Sequence, residues 1–215
     1  MMFEETLRLG KQHKNYGGKK IMWTRELLGT NVYNIIHYFF IYSILGWLIE
    51  SIYMSFCEKK IVNRGFIKGP ICPIYGIGAL TVFFVLRRFS GNYVLLFFVG
   101  SILATTIEFV TAKVMIAIFG EVWWDYNEKP FNYKGILCLE SSVAWGFYTV
   151  GLFLFLQKFV EFLVNSYSIK VGKTLGIIVI TYFIIDFIYH LYKAKADEMP
   201  KQITRITKAI RRKIS

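Results

Sequence analysis

The sequence predicts an all-α, polytopic membrane protein: a helical bundle of about five transmembrane helices with no large soluble domain. Three observations carry this. Of 215 residues, 55% are hydrophobic and 18% aromatic, more apolar surface than a soluble chain of this size can hide. The apolar residues fall in blocks, most of them close to the ~20 residues that cross a bilayer as a helix. Runs such as Ile177-Ile178-Val179-Ile180 lack the polar–apolar alternation of a transmembrane barrel.

Taken in order, residues 1–31 read as a polar, basic tail. They contain neither an apolar core nor a small-residue cleavage site, so the first span is expected to serve as its own signal. Residues 32–192 read as the transmembrane domain, with spans expected at 32–56, 71–86, 93–119, 138–157 and 174–192. The second is short and opens Gly69-Pro70-Ile71-Cys72-Pro73, where two prolines oppose a regular helix start. Irregular backbone at membrane depth survives only inside protein or beside a water-filled cavity, so this segment is expected within the bundle. Residues 193–215 read as a basic amphipathic tail, with Ile203, Ile206, Ile210 and Ile214 at helical spacing between Arg205, Lys208, Arg211 and Arg212.

The net charge of +12 is concentrated at the ends. Residues 193–215 hold eight Lys/Arg against two acids, and residues 1–31 hold six against three. Beside membrane spans such tails are expected to meet anionic lipid headgroups, and no motif points to nucleic acid. Orientation stays open. Lys/Arg counts outside the last tail favour an inside N-terminus, about ten against six, and the last tail reverses the balance. Cys57, Cys72 and Cys138 form no secreted disulfide framework and no metal-ligand cluster, so neither metal nor cofactor is expected. Gly172-Lys173-Thr174 lacks the upstream glycine of a phosphate-binding loop, so no nucleotide-hydrolysing machinery is expected.

Two acids interrupt the spans. A carboxylate at membrane depth costs on the order of 3 kcal/mol on insertion scales, so Glu50 and Glu108 need a reason to be there. Glu50 shares a helix face with Ser43, Gly46 and Cys57, and Glu108 with Ser101, Ala104, Thr105, Thr111 and Ala112. Small and hydroxylated neighbours let helices approach and supply hydrogen bonds, so both acids are expected to face the interior. Their role is either a proton or cation relay or acid/base chemistry; the alternative is a structural pairing with Arg64, Lys68 or Lys113. Each acid precedes a Gly/Pro/aromatic loop ending in Lys-Gly-x-x-Cys: Lys68-Gly69…Cys72 and Lys134-Gly135…Cys138. Laying spans one and two over spans three and four superposes Glu50 on Glu108 and Cys72 on Cys138. Such repeats would be parallel, related by an axis along the membrane normal, with both loops at one end. The loops add Asn63, Arg64, Asp125 and Asn132 as binding candidates, Arg64 offering a fork for phosphate or carboxylate. Asp186 and His190, one turn apart in the last span, are placed to hydrogen-bond.

The blocks Tyr38 to Trp47 with Glu50, Asn63-Arg64-Gly65-Phe66, Gly69 to Gly76, Glu108, Trp123-Trp124-Asp125-Tyr126 and Pro130-Phe131-Asn132 with Gly135 resemble one family. It is the bacterial ABC transporter permease family also labelled ABC-transporter type IV, and the resemblance covers about residues 33–155. It implies a multi-pass protein of the cell membrane, a transport role with an unspecified substrate, and a separate ATPase subunit as partner. A bundle with few spans encloses little space, so a homo-oligomer is a second expectation. Two further classes stay open: an intramembrane enzyme acting on a lipid or lipid-linked substrate, and a non-catalytic assembly or regulatory subunit.

Overall fold

The computed structural model describes residue 23, residues 25–63 and residues 69–214, with side chains as far as residue 193. Most of the N-terminal tail, Arg64 and Lys68, and the side chains of the C-terminal tail therefore lie outside the described residues.

Chain direction is set by capped helices. A two-residue hairpin, β1 (Glu26–Leu27) with β2 (Thr30–Asn31), turns through Leu28 and Gly29 at φ 53 and 75, the left-handed pair such a turn requires. Asn31 then caps α1 (Val32–Glu58), its side-chain oxygen accepting from the Asn34 amide at 2.8 Å. α2 (Pro73–Leu86) starts with proline in its first turn, where no amide hydrogen is needed. A short turn through Arg87–Phe89 leads to α3 (Tyr93–Phe119), capped by Asn92 and ended by Gly120 at φ 77. A second hairpin, β3 (Asn132–Tyr133) with β4 (Leu137–Cys138), precedes α4 (Leu139–Gly151). α4 passes through a π-helical segment, Leu152–Leu156, into α5 (Gln157–Asn165), and α6 runs Ile169–Ile214.

Among the described residues, four stretches are long and apolar enough to cross a membrane: Val32–Glu58, Tyr93–Phe119, Leu139–Asn165 and Ile169–Lys193. α2 has 14 residues, about 21 Å of helix, and is too short to cross by itself. The architecture is the expected all-α polytopic bundle, with the short second element starting inside it. The expected spans at 138–157 and 174–192 are each longer in the structure.

The two most extensive helix pairings are α1 with α2 and α3 with α4, so the core is a pair of helical hairpins. Glycine makes each hairpin close. A Cβ on Gly76 would strike the Phe39 carbonyl and Ser43 Oγ, and one on Gly146 would strike Ser101 Oγ and the Phe97 ring. Leu86, Leu96 and Val160 are sealed where the hairpins and α5 meet. Phe98, Ile102, Phe155 and Ile185 stay exposed, as a lipid-facing surface demands.

Candidate functional site: two acids at the heads of two hairpins

Both hairpins share an unusual offset. α1 continues about two turns (~12 Å) past Glu50, and α3 about three turns (~16 Å) past Glu108. The returning helices nevertheless begin no further out than the acids, α4 level with Glu108 and α2 beside Ser43 and Gly46, about one to two turns short of Glu50. Tyr75, near the start of α2, donates its hydroxyl to Glu50 Oε2 at 2.9 Å, and Ser141, near the start of α4, reaches Glu108 Oε2 at 3.4 Å. Each loop must therefore fold back along the helix it leaves. The first hairpin's irregular start is pinned by Cys72 N donating to Ser43 O at 3.1 Å, and by Gly69 N donating to Asp186 Oδ2 of α6 at 3.2 Å.

The superposition drawn from the sequence has a geometric counterpart. Tyr75 and Ser141 each stand three residues after the matched cysteine, and each hydroxyl addresses the matched glutamate. Cys72 and Cys138 are the cap residues of α2 and α4, and Cys138 Sγ accepts from Ser141 N at 3.3 Å.

Around Glu108 the cage is closed. Glu108 is 4% exposed, and its carboxylate accepts from Tyr126 Oη at 3.0 Å, Trp145 Nε1 at 3.0 Å and Ser141 Oγ. Tyr126 belongs to the fold-back loop; burial and the neighbouring Glu108 hold its phenol above the ordinary range, so it remains a donor. Lys113, one of the expected partners, instead places its ammonium 5.3 Å from the Phe109 ring centre. Around Glu50 the described residues leave the cage open. The residue is half-buried, and Tyr75 is its one donor among the described residues. The two cages adjoin, since the rings of Tyr75 and Trp145 lie 6.3 Å apart.

The other candidates divide. Asn63 Oδ1 accepts from Trp47 Nε1 at 2.6 Å, one turn before Glu50, at the rim of the open cage. Asp125 is exposed and accepts from the Asn127 amide and side chain at 2.8 and 2.7 Å. Asn132 donates to the Asn127 and Lys129 carbonyls and accepts from Gly135 N. These two shape the second loop. Arg64 lies outside the described residues. His190 Nδ1 lies 3.0 Å from Asp186 Oδ1, as their spacing suggests. The donors Tyr75, Tyr126, Ser141 and Trp145 were not singled out from the sequence. The shared offset of Tyr75 and Ser141 from the cysteines was the signal available for two of them.

Comparison with known proteins gives a family match. The chain fits the family described as "Putative ABC-transporter type IV" over residues 37–191, well over half its length. No curated protein and no solved structure matches significantly.

Proposed function

This chain belongs to the ABC-transporter type IV family, and from that premise we propose that it is the membrane-embedded part of a transporter whose cargo or coupling ion is a proton or small cation. The observation that carries the proposal is the duplicated head of the two hairpins. An acid on a long helix meets a hydroxyl on a helix that begins at membrane depth, twice, in adjoining positions. Discontinuous helices meeting at a repeat interface are where transporters place ion sites.

In this reading the acids divide the work. Glu108, held by three donors, fixes the second hairpin and its loop; Glu50, with one donor among the described residues, is placed to exchange a partner. The described side-chain contacts to both acids come from neutral donors, an arrangement that suits a cation or proton as a further partner. Asn63 stands at the rim, while Asp125 and Asn132 keep the loop folded back. A separate ATPase subunit, a homo-oligomer, and contact of the basic tails with anionic headgroups of the cell membrane belong to the same proposal. Chemistry on a lipid-linked substrate has less support, because Asp125 and Asn132 are engaged within their loop.

The test is charge displacement by the full chain in liposomes on a solid-supported membrane. Jumps in proton, sodium, potassium or alkylammonium concentration are applied in turn. At least one should evoke a transient in the wild type that Glu50→Gln abolishes while the protein still elutes as a single folded species. An unchanged transient in folded Glu50→Gln would defeat the proposal.

A further inference from the structure

At the opposite end of the bundle the structure builds a second polar cluster inside the fourth span. Tyr42 Oη donates to Gln157 Oε1, and Gln157 Nε2 donates to Glu161 Oε1 at 2.7 Å. Tyr42 and Gln157 are 3% and 6% exposed, and Glu161 is half-buried one turn nearer the end of the span. Tyr38 of α1, 6% exposed, also faces Glu161. The titratable groups facing Glu161 from α1 are thus Tyr38 and Tyr42. On its own helix Lys158 is solvent-exposed, and no basic side chain pairs with Glu161 among the described residues.

The backbone is distorted just ahead of this cluster. A π-helical segment inserts a residue into the helical count, turning everything beyond it by roughly 100°. The segment Leu152–Leu156 ends one residue before Gln157. Beyond it, Gln157, Val160 and Val164 line one buried face against α1. An uninterrupted α-helix would swing Gln157 away from Tyr42 and toward lipid, where its amide would lose both partners. Such segments cluster at functional sites because their distortion is costly to keep otherwise.

We propose that Glu161, Gln157 and Tyr42 form a proton-loading site on the side of the bundle opposite the two loops, serving the acids at the hairpin heads. The proposal rests on the transporter reading and names the proton as the coupling ion. The hydrogen-bond chain as found points toward Glu161, which suits a carboxylate. When Glu161 takes a proton from a hydronium ion, an O–H bond of the hydronium breaks, a carboxyl O–H bond forms from a carboxylate lone pair, and neutral water leaves; nothing is oxidised or reduced. Its hydroxyl then needs an acceptor. A half-turn of the Gln157 amide presents Oε1 to Glu161 and Nε2–H to the Tyr42 oxygen. The Tyr42 hydroxyl is then released to donate elsewhere, about 12 Å along α1 from Glu50. The amide thus transmits the charge state of an interfacial acid to a buried phenol.

The experiment is proton uptake by liposomes containing the full chain, with a pH-sensitive dye inside and uptake driven by a potassium diffusion potential. Wild type should take up protons faster than empty liposomes. Glu161→Gln should slow uptake by about a hundredfold, the scale of a positioned proton-transfer group. Glu161→Asp should restore much of it. Tyr42→Phe, which leaves the acid in place, should slow uptake and keeps the test open if Glu161→Gln does not fold. Wild-type uptake no faster than empty liposomes would overturn the proposal, as would normal uptake in folded Glu161→Gln or Tyr42→Phe. If Glu161→Gln is normal while Glu50→Gln fails, the loading site falls and the reading of Glu50 stands. If the reverse holds, the loading site stands and the reading of Glu50 falls.

Discussion

The two hairpins carry the same acid in the same place and surround it differently. In the second, Glu108 is sealed by a phenol, an indole and a serine hydroxyl, one of them delivered by a loop that folds back about three turns. In the first, Glu50 is half-buried and held by Tyr75. A carboxylate with several charge-assisted hydrogen bonds works as a structural clasp, because removing it orphans each donor at about 1–3 kcal/mol. One with a single donor sits at small cost to the fold and can change partners. The difference predicts that matched positions in the two hairpins do different work.

That contrast can be broken at several points. The largest expected effect is on Glu108→Ala, which orphans Tyr126 and Trp145 together while Ser141 keeps the Cys138 carbonyl at 2.9 Å; a loss of about 3 kcal/mol or more should appear as a sharply lower thermal midpoint. Next comes Gly76→Ala, whose new Cβ would collide with the Phe39 carbonyl, a backbone atom that cannot turn aside. A loss of about 1–3 kcal/mol in thermal unfolding would match the cost of overpacking. Tyr126→Phe removes a single donor from the closed cage and should cost about 1–2 kcal/mol. It should also loosen residues 121–138, read as faster amide hydrogen exchange there. The smallest stability effect is expected for Tyr75→Phe, about 1 kcal/mol or less, because its carboxylate partner is only half-buried. An equal loss in Tyr75→Phe and Tyr126→Phe would erase the distinction between the cages.

Much of this fold was legible in the chain. The third span was expected at 93–119 and α3 is Tyr93–Phe119, because apolar composition holds to the glycine that stops it. The second element was expected to be short and irregular at its start, since Pro70 and Pro73 leave little choice. The fourth span ran further than the apolar count suggested. Gln157, Lys158 and Glu161 end a hydropathy run, yet two of them turn inward and helix continues to Asn165. The last helix likewise continues past the lipid-facing stretch into charged residues that favour helix as readily as apolar ones do.

The site was half legible. Glu50 and Glu108 stood out because charge inside a span is conspicuous. Their donors did not, because Tyr126 reaches Glu108 from a loop that doubles back and Trp145 from the returning helix, contacts that no local period records. Asp125 and Asn132 stood out as polar loop residues, a signal that does not separate a ligand contact from a turn held by its own side chains. Gln157 was passed over because nothing in the sequence announces the π-helical segment that turns it inward.

The claim most exposed to refutation is that one acid clasps and the other exchanges. Thermal unfolding of Glu108→Gln beside Glu50→Gln, in the same lipid and at the same pH, tests it directly. The account predicts a midpoint lower by roughly 6–12 °C for Glu108→Gln, the shift that ~3 kcal/mol produces in a chain of this size, against little or no change for Glu50→Gln. Equal shifts, or a larger one for Glu50→Gln, would contradict it.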